Sequence, residues 1–185
     1  MKTPAVEIHG LKKSFEDVQA LDGIDLTINQ GQFFGLLGPN GAGKTTIINI
    51  LTGLVIRQEG STKIFGQDTI KDYRFTRAKI GIAAQELSID WFFPIEKLLM
   101  FHAGYYGISK NLAQEKVADI IDRLGLKEKR NTRLRQLSGG MKRRYQLAKA
   151  LVHDPDIIIL DEPTAGVDVQ LRHELWDYLR RLHKE

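Results

Sequence analysis

One glycine-rich segment of this sequence has the residue types and the order that bind phosphate. Residues 38 to 45 read Gly-Pro-Asn-Gly-Ala-Gly-Lys-Thr. Glycines let the backbone turn tightly, so that its N–H groups can approach phosphate oxygens. The lysine adds a mobile positive charge, and the final hydroxyl is a suitable ligand for Mg²⁺. The segment matches the P-loop pattern and therefore predicts the binding of a nucleoside triphosphate.

Two adjacent carboxylates, Asp161 and Glu162, follow the apolar run Ile157–Leu160. As a buried strand, this run would bring both groups to the sheet edge where α/β proteins bind ligands. We expect Asp161 to hold a Mg²⁺ shell and Glu162 to polarise an attacking water. A lone carboxylate pair is more often a solvated turn, but the P-loop favours the catalytic interpretation. The sequence has no guanine-specifying Asn-Lys-x-Asp, which disfavours a small GTPase.

These groups need strands and helices to position them. The run Phe33–Gly38 is apolar on both faces and predicts a buried strand that leads into the glycine turn. Lys44–Leu54 has apolar residues at helical spacing. Elsewhere the patterns predict short strands in the first 30 residues, strands at 61–65, 79–84 and 156–160, mainly helical structure at 91–125, and helices at 141–152 and 171–182. Strands and helices alternate at both ends, with helices between, which predicts a parallel sheet that carries an inserted helical lobe.

Composition limits the class of protein. The chain has 185 residues, of which 42% are apolar and 27% charged, so we expect a folded globular core. It has no cysteine, which excludes disulfides and thiolate metal sites and fits a reducing compartment. The sequence contains neither an apolar run long enough to span a bilayer nor a signal core, so we expect a cytoplasmic location. The net charge of +4 does not choose between an anionic ligand, a membrane face and nucleic acid.

A third motif, Leu137-Ser138-Gly139-Gly140, precedes a helix and lies shortly before the carboxylate pair. Alone it could be an ordinary helix cap. In this order after a P-loop, the sequence resembles the ATP-binding-cassette (ABC) ATPases over almost its whole length. The resemblance implies ATP and Mg²⁺ as ligands. It also implies a head-to-tail dimer in which Ser138, Gly139 and Gly140 of one copy contact the γ-phosphate held by the other.

The resemblance implies a P-loop NTPase fold in one nucleotide-binding domain over residues 1–185. That fold has a mainly parallel core sheet, an N-terminal antiparallel β edge and a helical lobe at roughly 88–137. Phe15 would stack on adenine, unless it is a core aromatic, and Gln85 would touch Mg²⁺ and the attacking water. Asp168 would cross the dimer interface. Nucleotide contacts would include Gly38, Pro39, Asn40, Gly41, Ala42, Gly43, Lys44, Thr45 and Thr46; Lys44 would serve catalysis and Thr45 the metal.

Two features distinguish this sequence from the general family pattern. Met141-Lys142-Arg143-Arg144 resembles the bacterial branch of exporters for drugs and polysaccharides, although its basic triplet is otherwise a solvated helix face. The family also places a strand and a histidine (the H-loop) after the helix at 171–182. None of the five histidines fits that position, and His183, the nearest in order, has no apolar strand before it. We therefore expect the N-terminal part of a longer subunit or a shortened product.

The resemblance implies a separate membrane permease as partner, which would hold the subunit at the inner face of the cell membrane. The family's groove for the permease lies near residues 91–106, where we expect most aromatic side chains to be core and one or two exposed. Two alternatives remain. A nucleic-acid-acting ABC ATPase would suit the basic charge, but nucleic acid is not the expected partner. A non-catalytic nucleotide-binding fragment would suit the missing histidine.

Overall fold

The structure is a computed structural model that describes residues 3–83, 92–161, 176, 177 and 179–181. The chain forms two compact units, which divide between Ile80 and Gly81. We call them unit 1 and unit 2 and describe each by itself. The predicted site residues Gln85, Glu162 and Asp168 lie outside the described residues, as do His183 and most of the helix predicted at 171–182.

Unit 1 is built on a four-stranded antiparallel sheet. Its strands are β1 (Val6–Phe15), β2 (Val18–Ile28), β3 (Glu59–Ile64) and β4 (Gln67–Asp68). The strand order is β2-β1-β3-β4, so β1 lies in the middle with Val6 opposite both Ile28 and Ile64. Ile8 and Leu11 of β1 are fully buried, which makes this central strand the base of the unit's core. The predicted N-terminal antiparallel β structure is confirmed.

Two helices complete unit 1, α1 (Lys44–Leu51) and α2 (Tyr73–Ala78). Ile47, Ile50 and Leu51 bury one face of α1, as the spacing predicts. The helix ends three residues before the predicted Leu54, since Gly53 takes a positive φ of 76° that stops it.

The predicted buried strand at Phe33–Gly38 is wrong in this structure. The segment takes no strand conformation, and Phe33 and Leu37 are 56% and 92% exposed. A strand that is apolar on both faces needs a hydrogen-bonding neighbour for its backbone. Within the described residues, the strand pairs are those of β1–β4 and of β5 (Ile80–Ala83) with β6 (Ile157–Leu160), and this segment belongs to none of them. An apolar pattern therefore was not sufficient to predict a strand here.

The helices of unit 2 enclose one hydrophobic core. They are α3 (Ile95–Tyr105), α4 (Lys110–Arg123) and α5 (Gly139–Leu151), with short 3-10 turns at Lys127–Lys129 and Leu134–Gln136. The core contains the predicted stripe of α4, and its fully buried members include Ile95, Leu99, Leu134 and Tyr145. Gly125 follows α4 with a φ of 64°, the stop that the sequence predicts. The expected helical content of residues 91–125 is confirmed for the part that the structure describes.

Two strands of unit 2, β5 (Ile80–Ala83) and β6 (Ile157–Leu160), pair in a parallel sheet. Both agree with the predicted strands to within one residue at each end. β5 lies directly against the end of α5, because a Cβ on Gly81 would overlap the carbonyl of Ala150 and lie 2.8 Å from Pro155 Cγ. Only a residue without a side chain fits there, so this glycine sets how closely the strand packs on the helix.

Aromatic residues of the helical region are more exposed than expected. Leu98 and Leu99 of α3 are core residues. Phe92, Phe101 and Tyr105 are 65%, 47% and 84% exposed, against the expected one or two. None of the helices among the described residues combines the length and the apolar character that crossing a membrane requires.

Candidate nucleotide-binding site

The glycine turn of unit 1 has the backbone shape that the P-loop pattern requires. Gly41 and Gly43 both have a φ of 82°, a left-handed conformation that favours glycine. The Ala42 N–H donates to the Pro39 carbonyl at 3.2 Å and closes the turn. Gly43 also packs on β2, since a Cβ there would lie 2.6 Å from the Ala20 carbonyl oxygen and from Leu21 Cδ2. The sheet therefore fixes the point at which the loop becomes a helix.

The start of α1 points unused backbone donors into the loop. Gly43 is the N-cap residue and has no side chain to cap the helix. The first hydrogen bond of the helix runs from the Ile47 N–H to the Gly43 carbonyl at 2.9 Å. The N–H groups of Lys44, Thr45 and Thr46 therefore have no partner within the helix. With the helix dipole and no acidic residue in the first turn, they form a site suited to an anion.

Lys44 places its charge at the mouth of this turn. Its Nζ donates to the carbonyls of Gly38 and Pro39 at 2.7 and 2.8 Å. An ammonium group has three donors, so one remains for a phosphate oxygen. Gly38, Pro39, Asn40, Gly41 and Ala42 are all exposed, which leaves the loop open to a ligand. The neighbouring Thr45 is exposed as well, as a hydroxyl that binds Mg²⁺ would need to be.

Phe15 ends β1 at the tip of the β1–β2 hairpin. It is 44% exposed, with the Lys13 ammonium 5.0 Å from its ring centroid, so the alternative of a core aromatic is wrong. Phe15 pairs with Val18, two residues along β2 from Ala20, which touches Gly43. At the rise of a strand, that is about 7 Å along β2. The ring is therefore accessible, on a strand that also supports the glycine turn.

In unit 2, the Leu137–Gly140 motif, the second candidate for binding phosphate, forms the start of α5. Ser138 is its N-cap, and its Oγ accepts a hydrogen bond from the Met141 N–H at 3.3 Å. The helix-cap interpretation therefore describes the geometry correctly, but it leaves the hydroxyl proton available to donate. Gly139 has open space where a Cβ would be, and Ser138 and Gly139 are exposed. The motif can donate its hydroxyl and backbone N–H groups to an external phosphate.

Buried apolar residues lie directly before and beneath the Ser138 motif. Leu137, directly before the cap, is 5% exposed, and Leu134 and Tyr145 are fully buried in the same core. Burial raises the pKa of Tyr145 from its ordinary value of 10, which keeps the phenol neutral. The exposed cap therefore follows directly on a buried apolar core.

Asp161 follows β6 at the edge of the parallel sheet, as predicted. Its N–H donates to the Ala83 carbonyl of β5 at 3.0 Å. Its own carbonyl accepts a hydrogen bond from Arg143 Nη2 of α5 at 3.2 Å. Arg143 is therefore not simply part of a solvated helix face, as its basic neighbours in the sequence suggest, because its guanidinium binds the backbone after β6. No local pattern signals this contact, because the two partners are 18 positions apart in the sequence.

The structure thus describes the two halves of the predicted site separately. The P-loop and Phe15 belong to unit 1, whereas Ser138, Gly139, Gly140 and Asp161 belong to unit 2. Within the described residues, no cluster of histidine and carboxylate side chains could hold a metal ion. The predicted Mg²⁺ ligands Thr45 and Asp161 lie in different units, and Gln85 lies outside the described residues.

Comparison with known proteins identifies the family. The family profile described as ABC transporter matches residues 21–165. The Nod factor export ATP-binding protein I of Paraburkholderia xenovorans (strain LB400) is 39% identical over 182 residues. That of Rhizobium sp. (strain N33) is 38% identical over the same length. Each alignment covers 98% of this chain and 60% of the relative, so the chain spans about three fifths of the length of these proteins.

Two solved structures are similar in fold. One, described as the ATP binding subunit of an ABC transporter, has a TM-score of 0.86 at 22% identity and covers 97% of this chain and 75% of that one. At that identity the likeness shows the fold alone, an α/β P-loop NTPase as predicted. The other is cbiO1 from Clostridium perfringens, described as part of the ABC transporter complex cbiONQ. It has a TM-score of 0.85 at 27% identity and covers 98% of this chain and 74% of that one. The family match over most of the sequence, together with these relatives, shows that the chain belongs to the ABC transporter family.

Proposed function

We propose that this chain is the nucleotide-binding domain, over residues 1–185, of an ABC exporter ATPase. The observation that carries the proposal is the geometry of the glycine turn. Gly43 supplies a helix start without a side-chain cap, and Lys44 holds its ammonium at the mouth of the loop. Both features suit the β- and γ-phosphates of ATP. Phe15 would add a stacking face for adenine.

Hydrolysis in this proposal depends on residues of both units. Lys44 would neutralise charge on the β- and γ-phosphates, and Thr45 and Asp161, with Gln85, would hold Mg²⁺. The metal ion, when bound, would polarise the phosphoryl group and neutralise the charge that develops on it. Glu162 would orient the attacking water and take up its proton. Asp168 would contact the other copy across the dimer interface.

The proposed assembly is a head-to-tail dimer. The Ser138 hydroxyl and the N–H groups of Gly139 and Gly140 would bind the γ-phosphate of the ATP held by the other copy. Closure around two ATP molecules would drive a membrane permease at the inner face of the membrane, and hydrolysis would reset it. Two observations support export over import: the names of the Nod factor export relatives and the Met141-Lys142-Arg143-Arg144 sequence.

Thermal unfolding with and without Mg²⁺–ATP tests the central step. A ligand at a hundred times its Kd adds about 2.7 kcal/mol to the free energy of unfolding and raises Tm. We expect that increase in the wild type and its loss in Lys44→Ala. The matched control is Lys71→Ala in the same unit, because Lys71 is exposed and only its backbone N–H bonds to Asp68. This control should keep the full shift.

The same measurement separates the alternatives. A wild type with no ATP-dependent shift would contradict the proposal. A shift without turnover would indicate a non-catalytic nucleotide-binding fragment. If turnover is present, Glu162→Gln should retain ATP binding and lose hydrolysis, and unchanged turnover would reject Glu162 as the base. Salt-dependent binding of RNA or DNA would instead favour the nucleic-acid alternative.

A further inference from the structure

The backbone of Asp161 is held from two sides. Its N–H donates to Ala83 of β5 at 3.0 Å, a contact that continues the sheet by one residue. Its carbonyl, on the other side of the residue, accepts from Arg143 Nη2 at 3.2 Å. The first contact comes from a neighbouring strand and the second from a side chain of α5. Asp161 is therefore tied both to the sheet and to the helix that begins after Ser138.

Arg143 is itself fixed in direction. Its Nη1 donates to Gln146 Oε1 at 2.8 Å, and Gln146, three residues further along the same helix, is only 6% exposed. A guanidinium group is planar and its donors have fixed relative directions. Once one nitrogen is bound to a buried amide, the other is aimed, and here it is aimed at the Asp161 carbonyl. The hydrogen bond is partly buried, which protects it from competing water.

The carbonyl that Arg143 holds is part of the peptide bond that joins Asp161 to Glu162, the proposed base. The carbonyl of Asp161 and the N–H of Glu162 belong to one planar peptide group. Fixing the direction of the carbonyl therefore fixes the plane through which the chain continues toward the proposed base. Near-attack geometry is sensitive to displacements of about 1 Å, which can cost on the order of 100-fold in rate. A contact that orients this peptide can thus affect turnover without touching ATP.

The position of Arg143 on α5 gives the contact a second consequence. Arg143 is five positions after Ser138, or about 7.5 Å along the helix axis. The cap at Ser138 and the contact to Asp161 are therefore carried by the first two turns of one helix. A displacement of the helix start would move the group that holds the Asp161 carbonyl.

We infer that Arg143 is a positioning residue, which orients the Asp161–Glu162 peptide from the helix that carries the Ser138 motif. The inference rests on the proposed ATP hydrolysis. In the proposed dimer, the Ser138 motif meets the nucleotide of the other copy, whereas Asp161 serves the nucleotide of its own copy. Arg143 then links occupancy of one site to the geometry of the other.

The test compares two adjacent arginines of α5 in the full chain. Arg143→Gln removes the contact to Asp161. Arg144→Gln is the matched control, because Arg144 Nη1 donates instead to the Leu124 carbonyl at the end of α4, at 3.4 Å. We expect Arg143→Gln to lower kcat about tenfold or more, while the Kd for Mg²⁺–ATP stays within about twofold. Arg144→Gln should keep kcat within about twofold of the wild type.

Two further measurements distinguish positioning from a general loss of structure. Arg143→Lys keeps the charge but has a single donor nitrogen, which cannot bind Gln146 and the Asp161 carbonyl in the same planar arrangement, so its kcat should lie between those of the wild type and Arg143→Gln. Amide hydrogen exchange at Asp161, whose N–H is bound to Ala83, should be faster in Arg143→Gln and unchanged in Arg144→Gln. The exchange measurement does not depend on turnover.

Three results would overturn the inference, and they differ from failure of the proposed function. Equal kcat values for Arg143→Gln and Arg144→Gln would remove any special role for Arg143. A fall in activity fully explained by weaker ATP binding would place Arg143 in binding rather than positioning. Unchanged exchange at Asp161 in Arg143→Gln would show that the contact does not hold the peptide. A wild type that neither binds nor hydrolyses ATP would refute the proposed function itself, and this inference with it.

Discussion

Two helices of this chain, α1 and α5, begin at candidate phosphate-binding motifs, and their N-termini are stabilised in different ways. α1 begins after Gly43, a left-handed residue with no side chain to cap the helix, and its geometry is set by contact with the Ala20 carbonyl. α5 begins after Ser138, whose side chain caps the helix and which follows the buried Leu137. The start of α1 depends on the left-handed backbone of Gly43 and on its close packing against Ala20. The start of α5 depends on the hydrogen bond that the Ser138 side chain accepts, next to a buried leucine. The two helix starts therefore offer similar chemistry but are held in place by different interactions. We expect different substitutions to disrupt them.

The same substitution at the two starts should give the largest contrast. Gly43→Ala places a Cβ 2.6 Å from the Ala20 carbonyl oxygen and forces a side chain into a φ of 82°. We expect a loss of about 3 kcal/mol or more in the free energy of unfolding, together with loss of ATP binding. Gly139→Ala meets open space, so its stability should stay within about 0.5 kcal/mol or rise. Urea unfolding of both variants checks this pair, and equal losses would show that the two starts are not built differently.

The two units should also respond differently to acid. In unit 2, burial, the Lys149 charge and His153 lower the pKa of His102 from 6.5 to about 4, and the rings of Tyr105 and Tyr106 pack beside it. His102 therefore binds a proton less tightly in the folded state than in the unfolded state. The stability that this provides is complete above pH 6.5 and is lost as the pH falls from 6.5 toward 4. With allowance for solvent screening, the loss is on the order of 2 kcal/mol.

In unit 1, Asp68 is the titratable group whose shifted pKa affects stability, and its effect lies at lower pH. Burial raises the pKa of Asp68, but hydrogen bonds from the backbone N–H groups of Lys71 and Ile70 and from the Arg57 side chain lower it by more, so that the pKa lies below its ordinary value of 3.8. Stability from this carboxylate is present above pH 3.8 and is lost only as the pH falls below that value. Unit 2 should therefore weaken first as the pH falls.

Tryptophan fluorescence can follow unit 2 alone, since both tryptophans, Trp91 and Trp176, lie after residue 80. We expect its urea midpoint to fall between pH 6.5 and 4, while amide exchange at the buried Ile8 of unit 1 stays slow. His102→Gln should flatten the fluorescence curve. A steep curve that persists in His102→Gln would assign the pH dependence to another group.

The comparison also shows which features the sequence could predict. The glycine turn and the Ser138 cap can be predicted because the residue types that form each lie within a few positions of one another. The contact of Gly43 with Ala20, a distant residue of β2, is not visible in that local pattern. The same holds for the stripe of α4, whose spacing fixes the buried face. In these segments, local conformation and local burial point to the same structure.

Two features that depend on distant residues were missed or wrong. Phe33–Gly38 has the apolar pattern of a buried strand, but a strand also needs a neighbour to receive its hydrogen bonds. The contact between Arg143 and the Asp161 carbonyl spans 18 residues and depends on how α5 lies against β6. A basic residue on a helix gives no sign of such a partner, so the solvated interpretation was the reasonable one from sequence.

The smallest expected effect concerns the cap that distinguishes α5 from α1. Ser138→Ala removes the acceptor for the Met141 N–H and should lower the free energy of unfolding by about 1 kcal/mol. The chain supplies a matched control in Ser109, the N-cap residue of α4, whose side chain makes no capping hydrogen bond. Since it has no such bond to lose, Ser109→Ala should cost only a few tenths of a kcal/mol. Denaturant unfolding of both variants, monitored by tryptophan fluorescence, measures the difference between the two losses in free energy of unfolding. Equal costs would mean that the hydroxyl of Ser138 does not stabilise the helix start, which would leave phosphate binding as its proposed role.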